Sequence, residues 1–177
     1  APEDATVTIK LVRGTYVIGA SLSADGILPA TDNVKLRVLG GYGAGCATRT
    51  IDPANTVFDG NNLADSGISM ISPGDAGELL FEGIAFTRMR RPVDHYPGAV
   101  LSLQVNSGDN GIATVRYCRF SQNRASKMVL FESPQMRLVN NRITDNVLIG
   151  NLNPNMPSAA VEAFWSEPAT DPVLFAA

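Results

Sequence analysis

The stretch VRYCRFSQNRASKMVLFESPQMRLVNNRITDN, Val115 to Asn146, holds one short pattern twice. VRYCRFSQN and LVNNRITDN each start apolar, pass through polar or small residues, and reach a large apolar residue followed by two polar ones and an Asn. Phe120 and Ile143 fill the large apolar slot, and Asn123 and Asn146 close the pattern. Working outward, LFEGIAFTRM (Leu80 to Met89) aligns with TVRYCRFSQN and RLVNNRITDN when Phe86, Phe120 and Ile143 are superposed. Ile84, Cys118 and Asn141 then share a second column, whose direction the sequence leaves open.

A further apolar run precedes each unit: ISMISPGD from Ile68, VLSLQVNSGD from Val100, VLFESP from Val129 and VEAFWSEPATD from Val161. The last leads into PVLFAA. The unit is therefore strand, turn, strand, turn, with a period of about 23 to 34 residues, the range of solenoids and related arrays. Pro, Gly, Asn and β-branched residues exclude helical repeats. Propeller blades need longer units of about 40 to 50 residues, and no leucine-rich frame is present. What remains is an all-β, single-stranded parallel β-helix of about five coils, spaced like neighbouring strands at about 4.8 Å. The competing fold is a β-sandwich with accidental similarity. Stacked coils make Phe86, Phe120 and Ile143 a buried ladder. They place Asn123 and Asn146 in turns, where Asn tolerates left-handed backbone and its amide bonds neighbouring backbone groups.

Composition agrees. At 177 residues the chain suits one domain, 1–177, which is long enough to bury a core. Charged residues are 18%, below the roughly 25% of an average soluble protein, and turn formers replace them. The formal net charge of −3 offers no positive field for nucleic acid. No apolar run reaches the roughly 18 residues of a membrane span. The start, APEDAT, reads as what signal cleavage would leave in a secreted protein.

The chain resembles the right-handed parallel β-helix proteins of the pectate-lyase-like superfamily, in particular bacterial exported members carrying LGGY…DP…T…DG near the N-terminus. Here that segment is VLGGYGAGCATRTIDPANTVFDGNN (Val38 to Asn62), and IKLVRGTYVIG (Ile9 to Gly19) resembles the opening strand of the class. FSQN (Phe120 to Asn123) is similar to the Phe-x-x-Asn motif of polymorphic outer-membrane proteins. The resemblance implies the fold and an exported, extracellular or cell-surface location. It implies no particular activity, because this architecture hosts lyases, hydrolases, adhesins and stalks alike.

Chemistry-bearing motifs are sparse. LGGYGAG (Leu39 to Gly45) follows VKLRVL, which reads as a strand, but lacks the third Gly and the helix of a dinucleotide loop, and reads as a glycine-rich turn. Asp59, Asp65 and Asp75 lack the ligand order of a calcium loop. No metal site and no cofactor is expected. Cys46 and Cys118 lie in no metal-ligand spacing. They read either as two buried thiols or as one disulfide of an exported protein. TRMRRPVDHYPG (Thr87 to Gly98) is the most varied loop. In a ligand-binding reading, Arg88, Arg90 and Arg91 grip the acidic groups of a glycan, Tyr96 stacks on a sugar, and Asp94 and His95 form an acid–base pair. In the plain reading it is a solvated loop.

Two functions follow as expectations. One is a non-enzymatic extracellular or cell-surface structural protein whose partners are other copies of itself. ATVTIKLV at one end and DPVLFAA at the other look poorly capped, so Val7, Ile9 and Leu11 would meet Val173, Leu174 and Phe175 of another copy end to end. A head-to-tail contact that does not close gives a filament or stalk. Missing downstream sequence, with the chain the N-terminal part of a longer β-helix, would complete the last coil equally well. The alternative is a carbohydrate-active enzyme, a polysaccharide lyase or glycoside hydrolase, or a module that binds polysaccharide.

Overall fold

The computed structural model describes residues 5–19, 21–23, 34–72, 77–91, 98–105, 110–150, 158–164 and 174–176, with backbone alone at Ser21–Ser23, Ser72, Phe164 and Leu174–Ala176. The described chain is all-β apart from two short 3-10 turns, Ala44–Cys46 and Pro53–Asn55. The first strands are β1 (Thr6–Val12), β2 (Gly14–Val17), β3 (Ser21–Ser23), β4 (Lys35–Tyr42), β5 (Thr56–Asp59) and β6 (Gly67–Ser72). Next come β7 (Glu78–Glu82), β8 (Ala85–Thr87), β9 (Ala99–Val105), β10 (Ile112–Arg116), β11 (Arg119–Ser121), β12 (Arg124–Ala125) and β13 (Lys127–Glu132). The last are β14 (Gln135–Val139), β15 (Arg142–Thr144), β16 (Val147–Leu148), β17 (Ala159–Phe164) and β18 (Leu174–Ala176).

Sheet A runs β1-β4-β7-β10-β14-β18, sheet B runs β2-β5-β8-β11-β15, and sheet C runs β3-β6-β9-β13-β17. Every pairing in them is parallel. A short fourth column pairs β12 with β16 and continues through the bridges Arg90–Arg124 and Ala64–Arg90. Along the chain, the strands enter sheets A, B and C in the same cyclic order, so sheet neighbours come from successive passages.

The alignment of the three segments is the pairing register. Leu80, Thr114 and Arg137 are partners in sheet A, and Phe86, Phe120 and Ile143 are partners in sheet B. Period-2 alternation sends Phe120 inward and its neighbours Arg119 and Ser121 outward. The inward column of sheet B is Tyr16–Phe58–Phe86–Phe120–Ile143. The Phe86 and Phe120 rings stack with centroids 4.7 Å apart and planes 4° apart. Phe120 is fully buried, whereas Ile143 is half-buried. Sheet A contributes Ile9–Val38–Phe81–Val115–Leu138. Sheet C contributes Ile68–Leu101–Val129–Val161.

In sheet C the register departs from expectation by one residue: Leu101, not Val100, pairs with Ile68 and Val129. Val100 and Leu101 are both fully buried. A strand covered on both faces reads as a continuous apolar run, so alternation gives no register.

The turns depart as well. Left-handed backbone falls not on Asn123 and Asn146 but on the residues before them, Gln122 (φ 59°) and Asp145 (φ 57°). Arg88 (φ 52°) occupies the same place one passage earlier. The Asn side chains instead bond the neighbouring passage: Asn123 Oδ1 accepts from Met89 N at 2.9 Å, and its Nδ2 donates to Phe86 O at 3.0 Å. The column Ile84–Cys118–Asn141 faces inward at Ile84 and Cys118, both buried. Asn141, half-buried, is satisfied by Cys118 N and Val115 O, each at 2.8 Å.

LGGYGAG is a packing turn. Gly41 has φ 89°, and a Cβ there would lie 2.0 Å from Thr50 O. Its N–H donates to Thr56 Oγ1 at 2.8 Å, so the backbone needs no external phosphate. No helix among the described residues is long and apolar enough to cross a membrane.

Candidate functional site

The outward side chains of sheets A and B carry five of the eleven described arginines: Arg37, Arg116, Arg119, Arg137 and Arg142. On sheet A the outward column is Arg37–Leu80–Thr114–Arg137, flanked by Glu78–Ile112–Gln135 and by Glu82–Arg116–Val139. All of these but the buried Glu82 line an open groove of ≈ 810 Å³, as does Tyr117. Arg37 Nη2 donates to Glu78 Oε2 at 3.2 Å. Glu82, 2% exposed, is ion-paired through one oxygen to Arg49 and through the other to Arg116. A buried carboxylate held between two guanidiniums is compensated rather than poised for chemistry. Arg137 is exposed and has no carboxylate partner among the described residues.

Catalysis by a carboxylate pair requires two such groups free to face a substrate. Glu78, which lines the groove, and Glu82, buried beside it, both already hold arginines. Among the described residues no group of three or more His, Cys, Asp or Glu could hold a metal.

The three arginines of the varied loop do not converge on open space. Arg88 Nε donates to Asp59 Oδ1 at 2.8 Å and a second ion-pair contact joins them. That hydrogen bond holds the Asp59 carboxyl below its ordinary value; burial opposes it, and the Asn61 N–H and the Arg88 charge reinforce it. Arg90 donates to Asn62 Oδ1 from Nε and Nη2, both at 3.2 Å. Arg91 is buried against Asp65; burial lowers its guanidinium pKa and the Asp65 charge partly restores it. All three anchor the Asp59–Ser66 turn of the passage before. Asp75, Asp94, His95 and Tyr96 lie outside the described residues.

Of the residues expected to mediate self-association, Val7 and Leu11 are half-buried against the core, while Ile9 is 42% exposed. Leu174 and Phe175 pair in parallel with Arg137 and Leu138 through their backbones, and Val173 lies outside the described residues. Cys46, half-exposed in a 3-10 turn, and Cys118, buried, are both free. Cys46 is thus neither bonded nor buried, because its turn sits outside the three sheets.

Arg119 and Arg142 escaped the sequence reading of site residues. They are direct partners on the outward face of sheet B, beside the hydroxyl row Thr87–Ser121–Thr144. Together with Gln122 and Asp145 they line a small pocket of ≈ 330 Å³. The signal was present: both arginines immediately precede the large apolar residue of the aligned segments, a position that alternation turns outward.

Comparison with protein-family models, with curated proteins and with solved structures finds no match to this chain.

Proposed function

We propose that the chain is a right-handed parallel β-helix of about five coils and that it works as a non-enzymatic structural element, exported to the cell surface or beyond, that associates with copies of itself. The cyclic A, B, C strand order and the inward columns support the coil reading, and parallel crossovers are almost always right-handed. One observation carries the role. Strand β1 pairs on one side only among the described residues, and Ile9, a member of the Val38–Phe81–Val115 column, is 42% exposed there. An outer strand with an exposed apolar column is a template for another strand. A second copy adding to it makes a heterologous contact, which extends as a rod. Sedimentation velocity and electron microscopy across concentration test this: rods should lengthen with concentration and be suppressed by Ile9→Asp. A monomer at every concentration would refute the role while leaving the fold intact.

The sheet A groove favours a second reading, a carbohydrate-active or polysaccharide-binding protein, with Tyr117 as a stacking platform and Arg137 as an unpaired cation. Repeated turnover of an acidic polysaccharide above a blank would select this reading over the first.

A further inference from the structure

We propose that Arg119 and Arg142, on the outward face of sheet B, form a binding site for a tetrahedral oxyanion, a sulfate or phosphate-ester group. The register makes them direct neighbours in adjacent parallel strands, where the spacing is about 4.8 Å. Like charges placed directly opposite each other destabilise a sheet. Five other arginines are answered from within: Arg37 has Glu78, Arg49 and Arg116 share Glu82, Arg88 has Asp59, and Arg91 has Asp65. Arg119 and Arg142 have no carboxylate partner among the described residues.

A second observation points the same way. Arg119 Nε is shielded from solvent and has no hydrogen-bond partner. Three other arginines, Arg37, Arg49 and Arg91, have such an orphaned nitrogen, but each also holds a carboxylate. Among the described residues Arg119 alone combines an unsatisfied buried donor with an unanswered charge. A buried donor without a partner is costly, and the Arg119 side chain that carries it also lines the pocket.

The chemistry of the lining selects the ligand. Two guanidinium forks present parallel N–H groups suited to bidentate contact with an oxyanion. The hydroxyls of Thr87, Ser121 and Thr144 lie on the same face, one row along, and add donors for further oxygens. A carboxylate has two oxygens and leaves that row idle, whereas a sulfate or phosphate ester presents three. Asp145 also lines the pocket and forms no ion pair with either arginine; its charge opposes an anion and sets the affinity low.

The test follows the Arg119 Nε–H resonance of 15N-labelled protein during titration with sodium sulfate, ionic strength being held constant with chloride. Parallel arms use dextran sulfate and neutral dextran. A saturable shift is expected with sulfate and with dextran sulfate, and none with neutral dextran. Tighter binding of dextran sulfate than of free sulfate assigns the group to a polymer, and the reverse assigns it to the free anion. Arg142→Gln should weaken binding about tenfold, the loss of one charged contact. Arg142 is exposed, so the fold should persist. Asp145→Asn should tighten binding. Arg124→Gln, an equal change of net charge elsewhere, should leave it unchanged. The absence of a saturable shift in the unmodified protein, or equal weakening by Arg124→Gln, would overturn the proposal.

Discussion

Asn146 holds the backbone at Asn123 in the preceding passage. Its Oδ1 accepts from Asn123 N at 2.9 Å and from Asn123 Nδ2 at 3.0 Å, while its own Nδ2 donates to Phe120 O at 2.8 Å. Asn123 does the same one passage earlier, to Met89 N and Phe86 O, and Asn141 does it at the other corner, to Cys118 N and Val115 O. In each case one amide bridges an N–H and the carbonyl three residues before it. The chain bends there between two sheets, so the ladder does not supply these bonds, and buried backbone groups must find partners. An Asn amide, with acceptor and donor side by side, fits that gap.

Asn123 is buried and joined to passages on both sides, so its loss should be severe. Asn123→Ala orphans Met89 N and Phe86 O, and should cost about 3 kcal/mol at 1–3 per unsatisfied buried group. Asn146→Ala, at a half-buried position, should cost less. Urea denaturation measures both, and equal small losses would show that these bridges contribute little to stability.

Phe120 sits at the centre of the sheet B column, stacked on Phe86 and paired with Ile143. Phe120→Ala should cost about 3 to 5 kcal/mol through lost burial and the cavity left behind. Gln122→Ala, two residues away at an exposed position, should cost little. The contrast is read as a large shift in denaturation midpoint for the first substitution and nearly none for the second.

Gln122 adopts φ 59° without the compensation a glycine offers. Left-handed backbone disfavours an L side chain by about 1–2 kcal/mol. Gln122→Gly should therefore stabilise the protein, less what Gly adds to the freedom of the unfolded chain. Thermal melting should move up or stay level, and a marked drop would mean that the Gln122 side chain has an unrecognised partner.

The inward columns of sheets A and B could be read from the sequence because one large apolar residue marks each copy: Phe86, Phe120 and Ile143 fix the register of those two sheets from Leu80 to Asn146. Alternation then assigns the faces, and the same alignment makes Arg119 and Arg142 outward partners. Sheet C was less legible because Val100 and Leu101 are interchangeable in a strand buried on both sides. The partners of Arg88, Arg90 and Arg91 could not be found from their own loop. Asp59, Asn62 and Asp65 lie a passage away, and the sequence shows no sign of that pairing.

The Asp59–Arg88 pair should set part of the acid limit of stability. A carboxyl held below its ordinary 3.8 contributes stability that is fully present above the unfolded value and lost as pH falls through the folded one. Arg88→Gln removes the main cause and should raise the pH of the acid-unfolding midpoint. An unchanged acid limb in circular dichroism would show that other groups govern it.

Cys118 should be chemically silent in the native protein and should shape the alkaline limb of stability. Burial, the largest cause, pushes its thiol from 9.0 up to about 12, reinforced by the nearby Glu82 charge and opposed by hydrogen bonding with the backbone at Ile84, Gly83 and Arg116. Its Sγ lies 3.4 Å from Arg116 O and 3.8 Å from Phe81 O, inside the core. The thiolate is the reactive form, so an alkylating reagent at neutral pH should modify Cys46 first and reach Cys118 only when the fold opens. The linked stability has a definite sign. A folded value raised above the unfolded one contributes stability that is fully present below pH 9.0 and lost as pH rises toward about 12, because the unfolded chain gives up that proton first. Cys118→Ala should lower stability at neutral pH through lost packing and flatten its decline in alkali. Mass spectrometry after native and denaturing alkylation should give one modified thiol and then two. Equal rates at both cysteines in the native state would refute the burial of Cys118.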